Sequence, residues 1–229
     1  MSFETPPTAA LSLRGVRVDY AGAPALRGVD FDAEAGELTV IAGPNGAGKS
    51  TLLEVLAGTI APCAGSVAVR AGSRAFVPQR ASISQTLPVT VRDVVTVGAW
   101  GRVKPWRRLD RTCRDAVDAA LDRLDLTPLQ RAPFRELSGG QQQRALLAQG
   151  LARGADTLLL DEPTTALDAG SAKRILAEMR AEADRGAAVV CVSHDQAVID
   201  AADRLVRLEA GRIGLMSAQR VARGVAATG

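Results

Sequence analysis

Residues Gly43-Pro44-Asn45-Gly46-Ala47-Gly48-Lys49-Ser50-Thr51 follow an apolar run, Glu37 to Ala42, and lead into a segment with helical pattern, Lys49 to Ala57. The stretch satisfies G-x-x-x-x-G-K-[ST] in the strand-to-helix setting that this pattern needs. Its glycines let the backbone curl until successive N–H groups point inward, the arrangement that cradles phosphate oxygens. Lys49 is placed to reach the β- and γ-phosphates of a nucleotide, and the Ser50 hydroxyl to coordinate Mg²⁺. Lysine is scarce: Lys49, Lys104 and Lys173 are the only three among 28 basic residues. That scarcity argues against a stray lysine in a glycine-rich turn.

A second segment suits the same chemistry. Leu137 to Arg144 reads LSGGQQQR. Ser138 and Gln141 have the S-x-x-Q spacing of a capping box, and Gly139 and Gly140 leave the backbone amides uncovered. A bare helix N-terminus attracts anions through free N–H groups and the helix dipole. Two phosphate-seeking segments so far apart in one chain suggest a phosphate gripped from both sides.

Other polar residues stand at the ends of apolar runs. Asp161 and Glu162 close the run Thr157 to Asp161. Strand alternation would point them to opposite sides, one toward Mg²⁺ through water, the other toward an attacking water. His194, the single histidine, follows Val189 to Ser193. It could hydrogen-bond a γ-phosphate at a strand end, where α/β proteins bind ligands, or be structural. Gln79 follows Phe76-Val77-Pro78. It could touch metal or water, or be an ordinary loop residue. Tyr20, the single tyrosine, could stack on adenine or fill the core. Trp100 and Trp106 flank a loop, where packing is the default and exposure would indicate a partner surface.

These residues need a scaffold. A chain of 229 residues with 47% hydrophobic content can bury a large core and is read as one domain with subdivisions. Strands are expected at Leu11 to Tyr20, Gly28 to Glu34 and Glu37 to Ala42 (the last two around the turn Ala35-Gly36), with turn residues at Ala21 to Pro24. Short strands follow at Ser66 to Arg70 and Arg74 to Val77. Helical spacing covers Thr90 to Gly98, Asp110 to Leu126 and Ser138 to Arg153. Strand character returns at Thr157 to Asp161, then helix at Ala169 to Arg185, strand at Ala187 to Val192, helix at Gln196 to Ala202, and a last strand at Arg204 to Leu208. Such alternation argues an α/β fold, with the helical block 82–150 inserted in it.

Composition excludes several classes. The net charge is only +3, and no arginine-rich tail or basic–aromatic alternation marks a nucleic-acid surface. The densest basic stretch, Arg102 to Arg114, includes the acid Asp110 and reads as a solvated face. The longest apolar runs, Thr157 to Leu160 and Ala187 to Val192, are too short to cross a bilayer, and MSFETPPTAA lacks the features of a secretion signal. Cys63, Cys113 and Cys191 are scattered, without metal-ligand spacing, and fit reduced thiols.

The ordered set of motifs resembles that of the ATP-binding-cassette (ABC) ATPases over nearly the whole chain. Tyr20 resembles the adenine-stacking aromatic, Gly43 to Thr51 the Walker A loop, Gln79 the Q-loop glutamine, and LSGGQQQR the signature. Leu158 to Pro163 resembles Walker B, Thr165 to Asp168 the D-loop, and Ser193-His194-Asp195 the H-loop. The resemblance implies a P-loop NTPase with an N-terminal antiparallel β subdomain and an inserted α-helical subdomain: a single domain, 1–229, with an ATP-binding core at 1–81 and 151–229 and the helical part at 82–150. It implies ATP and Mg²⁺ as cofactors and a head-to-tail homodimer. ATP would lie between residues 43–51 of one copy and Ser138, Gly139, Gly140 and Gln141 of the other. Glu162 would polarise the attacking water, with Lys49, Gln79 and His194 in the catalytic group. Ser50, Gln79 and Asp161 would hold Mg²⁺, and Asp168 would link the two sites. Further expected partners are an integral membrane permease and a substrate-binding protein, with the chain at the cytoplasmic face of a bacterial membrane and no nucleic acid.

A finer resemblance concerns the insert. Val77-Pro78-Gln79-Arg80, with Leu87 to Val95 and Gly98, is similar to the manganese/zinc branch of metal importers, the start of the chain and the insert being most like a zinc-importer ATPase. Zinc is therefore the expected cargo and manganese the next. Iron-siderophore and haem importers share a similar stretch and remain an alternative, as do exporters and soluble, non-transport ABC ATPases.

Overall fold

The computed structural model describes residues 9–20, 23–70, 72–79, 88–101 and 110–214, and the backbone of 219–220. In chain order the first part comprises β1 (Ala9–Tyr20), β2 (Ala23–Glu34), β3 (Leu38–Ala42), α1 (Lys49–Ala57), β4 (Ala64–Val69) and β5 (Arg74–Val77). Three helices follow: α2 (Val91–Trp100), α3 (Arg111–Arg123) and α4 (Gly139–Arg153). The last part holds β6 (Thr157–Asp161), α5 (Ala169–Asp184), β7 (Ala188–Val192), α6 (Gln196–Asp200), β8 (Arg204–Glu209), β9 (Arg212–Ile213) and β10 (Gln219–Arg220).

Two sheets result. β2, β1 and β4 form an antiparallel sheet in that order. The second sheet has the order β10-β8-β3-β7-β6-β5, with β9 also paired to β8. The run from β8 to β5 is parallel, while β9 and β10 lie antiparallel to β8. β3 and β7 are buried along their whole length, as expected for strands covered on both faces. Their alternation feeds two cores. Val40, Leu158, Leu160, Val189 and Cys191 pack with Ile175 and Met179 of α5 and with the α2–α4 group. Ile41, Leu159, Val190 and Val192 pack with Leu52, Leu53 and Leu56 of α1 and with Leu11 and Phe31 of the antiparallel sheet. Helix α1 is thereby held between the two sheets.

Helix starts follow from side-chain caps. Thr90 caps α2 reciprocally with Asp93, Asp110 caps α3, Ser138 caps α4 reciprocally with Gln141, and Asp168 caps α5. Ion pairs join α3 and the turn after it to α5: Arg123 meets Glu178 and Glu182, and Arg174 meets Asp125; at the end of α5, Arg185 also meets Glu182. Glu182 is buried, so both its arginines are needed to offset desolvation.

The structure departs from the sequence-based expectations at several points. β2 begins at Ala23, inside the expected turn. The two strands around the turn Ala35-Gly36 belong to different sheets. α3 stops at Arg123, not Leu126; the chain turns back through Asp125 at φ 52, yet Leu124 and Leu126 remain buried, which preserved the apolar spacing beyond the helix. β8 is not the last strand, since β9 and β10 pair with it. The expectations for Arg80, Leu87, Trp106 and most of the basic stretch 102–114 lie outside the described residues. Cys63 is exposed, whereas Cys113 and Cys191 are buried. Among the described residues no helix is long and apolar enough to cross a membrane.

Candidate nucleotide-binding site

The ends of β3, β5, β6 and β7 lie side by side at one edge of the parallel sheet, where open α/β sheets bind ligands. From them project the 43–48 loop, Gln79, Asp161 with Glu162, and His194. They border a cleft of about 540 Å³, which Tyr20, Asn45, Gly46, Gly48, Lys49, Ser50 and Thr51 also line.

The loop conformation depends on glycine at two crowded positions. Gly43 has φ 153, and a Cβ there would stand 2.0 Å from the Leu208 carbonyl oxygen. Gly48 has φ 100, with a Cβ 2.5 Å from the Ala25 oxygen. The buried Ala47 closes the turn by donating its N–H to the Pro44 oxygen. Lys49 Nζ donates to the oxygens of Gly43 and Pro44, at 2.8 and 2.9 Å. The ammonium thus lies across the mouth of the loop, and the α1 N-terminus carries no side-chain cap. Unpaired first-turn amides beside a lysine make a site for anionic oxygen.

Asp161 ends β6 half-buried. Burial pushes its carboxyl up, with Glu162 adding to the effect; hydrogen bonding to the Ser50 side chain and the charge of Lys49 pull it down. A carboxylate and a hydroxyl meeting at one point form an oxygen donor set suited to Mg²⁺, with the Gln79 amide on the same cleft. Glu162 does not continue the strand. Its φ of 47 takes it out of extended geometry, and Asp161 and Glu162 both line this cleft. The Glu162 N–H is anchored on the Val192 oxygen. Its Oε2 accepts from Thr165 Oγ1 at 2.8 Å and from Gln79 Nε2 at 3.2 Å, and its Oε1 is 3.6 Å from His194 Nδ1.

The open alternatives for three residues are narrowed by exposure. The His194 side chain is 72% exposed beside Glu162 and fills no core. Gln79 is exposed and engages Glu162. Tyr20, 47% exposed at the cleft rim, has its hydroxyl 3.5 Å from Glu54 Oε2. Thr165 opens the segment that resembles the D-loop, but the motif pattern gave it no contact with Glu162; the signal for that contact was a hydroxyl three positions after Glu162, within reach across one turn.

The 138–141 segment lies apart from this cleft. Ser138 Oγ accepts from the Gln141 N–H, and Gln141 Oε1 accepts from the Ser138 N–H, as the capping spacing predicts. Gly139 has open space around it. It borders a second cavity of about 320 Å³, which Gln79, Glu162 and Thr165 also line. None of residues 138–141 lines the nucleotide cleft. Asp168 is exposed and accepts from the Ser171 N–H, a bond that lowers its pKa. A Cβ on Gly140 would approach Asp168 Oδ2 to 3.5 Å, so the starts of α4 and α5 adjoin.

Known proteins resemble this chain in sequence and in fold. A sequence profile described as ABC transporter matches residues 26–165. The hemin import ATP-binding protein HmuV of Rhodococcus jostii is 40% identical over 224 residues, 90% of this chain and 75% of that protein. The high-affinity zinc uptake system ATP-binding protein ZnuC of Bacillus subtilis is 36% identical over 214 residues, 89% of this chain and 93% of that one. The dimeric structure of MJ0796, a bacterial ABC transporter cassette, superposes with a TM-score of 0.80 at 26% identity, covering 93% of this chain and 99% of the other. The chain therefore belongs to the ABC transporter family, as an ATP-binding ATPase subunit with the α/β fold of the P-loop NTPases.

Proposed function

We propose that two copies of this chain hydrolyse ATP to power a membrane permease that imports a metal-bearing cargo. The observation that carries the reading is the separation of the two phosphate-seeking segments. Lys49 and the loop before α1 line the cleft, while Ser138 to Gln141 stand outside it with Gly139 uncovered. A second copy, head to tail, would bring its α4 N-terminus onto the nucleotide held by the first. The dimeric MJ0796 cassette supports that assembly by analogy.

Within the cleft the roles divide by chemistry. Tyr20 offers an exposed ring for the adenine. Asn45, Gly46, Gly48 and Thr51 border the phosphate path, Gly43, Pro44 and Ala47 shape it, and Lys49 exchanges its carbonyl partners for phosphate oxygens. Ser50, Asp161 and Gln79 would hold Mg²⁺, which neutralises phosphate charge when bound. Glu162 takes the proton of the attacking water, and His194 senses the γ-phosphate side. Asp168, beside Gly140, ties one site to the other. ATP then acts as a ligand with strong preference for the closed dimer. Residues 1–81 and 151–229 serve as the nucleotide core, and 82–150 present the signature.

The permease reading rests on relatives named as import proteins and on the exposed apolar side chains Val97 and Trp100 of α2, four and seven residues after Asp93 on the same exposed face. The cargo would be held by the permease and a substrate-binding protein, while this chain sits at the cytoplasmic face of the membrane without touching the cargo. For the cargo, the insert favours zinc, and ZnuC supports it; HmuV favours haem. Cells lacking the gene, and cells carrying Lys49→Ala, should be grown under zinc, manganese, iron and haem limitation. A zinc deficit selects the zinc reading. Failure to use haem with normal zinc selects the haem reading. Normal growth and metal content in every medium would refute metal import.

A further inference from the structure

Glu162 is held unusually: two donors converge on one carboxylate oxygen, Oε2, while Oε1 is left toward the cleft and His194. The two donors differ in kind. Gln79 reaches Glu162 from the end of β5, across the sheet edge. Thr165 belongs to the same turn, closed by the Thr165 N–H on the Glu162 oxygen at 3.3 Å. The hydroxyl therefore keeps its place relative to Glu162 wherever that turn persists. A constraint is needed here, because the positive φ of Glu162 has already taken the side chain out of strand register and a glutamate has several rotamers to choose from.

We propose that Thr165 is a positioning residue for hydrolysis: its hydroxyl pins Oε2 of Glu162 so that Oε1 faces the attacking water. This rests on the reading of Glu162 as general base. The proton balance is simple: the water loses its proton to Oε1 as its oxygen bonds to the γ-phosphorus and the bond to the β-phosphate oxygen breaks. In this role Thr165 exchanges no proton. It lines the second cavity, not the nucleotide cleft.

The test compares steady-state ATPase of the purified chain with MgATP in wild type, Thr165→Val, Thr165→Ser, Glu162→Gln and the Thr165→Val/Glu162→Gln double variant. Valine keeps the shape and removes the donor; serine keeps the donor. A misplaced base costs up to about 100-fold, so Thr165→Val should lower kcat about 10- to 100-fold with KM for ATP little changed. Serine should restore most of kcat. In the Glu162→Gln background the valine should add nothing, since it acts through the missing carboxylate. Wild-type kcat in Thr165→Val with Glu162→Gln inactive would overturn the positioning role alone. An equal loss in both backgrounds would also overturn it, because the hydroxyl would then act elsewhere. Wild-type turnover in Glu162→Gln would instead remove the base reading on which the proposal rests.

Discussion

Ser138 does two jobs that a pair of substitutions should separate. Its hydroxyl caps α4 in a reciprocal box with Gln141, and in the proposed dimer the same helix end meets the partner's nucleotide. Ser138→Ala removes the cap, which costs about 1 kcal/mol, or roughly 2–4 °C of melting temperature for a chain of this size. Ser138→Asp restores an equally good cap, so its melting temperature should match wild type. It also places a negative charge at the exposed start of α4, next to Gly139, where an added Cβ would meet nothing within 4 Å. Two unit charges about 4 Å apart near a protein surface repel by about 4 kcal/mol, on the order of 10³-fold in an equilibrium constant. Aspartate should therefore abolish ATP-driven dimerisation and turnover while leaving stability intact, and alanine should lose stability and only part of the activity. Differential scanning fluorimetry paired with phosphate release gives both readouts. Wild-type turnover and dimerisation in a well-folded Ser138→Asp would refute the idea that this helix end receives phosphate.

Two further outcomes follow from the geometry. Lys49→Ala exchanges two intraloop hydrogen bonds for none, so stability should change little, while ATP binding measured by titration calorimetry should weaken about 100-fold or more through loss of charge-assisted phosphate contacts; affinity within about 2-fold of wild type would contradict the assignment. At α2, the Thr90 hydroxyl and N–H both donate to Asp93, holding its carboxyl below the ordinary 3.8. A lowered carboxyl pKa gives stability that is present above the ordinary value and lost as pH falls through the folded one. The melting-temperature gap between wild type and Asp93→Ala should thus be measurable at neutral pH and close as pH falls through the lowered folded-state value; a gap unchanged by pH would contradict the role given to that carboxylate.

Much of the scaffold could be read from the residues because local signals and tertiary burial agree. The strand Thr157–Asp161, the helix Lys49–Ala57 and the cap at Ser138 coincide with their sequence patterns, since continuous apolar runs, glycine turns and cap spacing are local. The errors occur where distant partners decide. The turn between β2 and β3 was legible, but which sheet each strand joins depends on β1, β7 and β8. β9 and β10 are two residues each and owe their existence to pairing with β8. Glu162 could not be oriented from alternation, because its left-handed backbone is a tertiary feature anchored on Val192. For the same reason the Thr165 contact was hidden: it exists only once that turn is made. The cargo is not resolved by the comparisons, whose relatives include both hemin and zinc import proteins.

The central claim, a composite site in which two copies enclose ATP and Glu162 carries out hydrolysis, is tested most directly by sizing the Glu162→Gln protein by light scattering with and without MgATP while phosphate release is followed. The account predicts a dimer that forms only with ATP, persists, and releases phosphate at less than about 1% of the wild-type rate. A monomer at saturating ATP, or turnover at the wild-type rate, would contradict it.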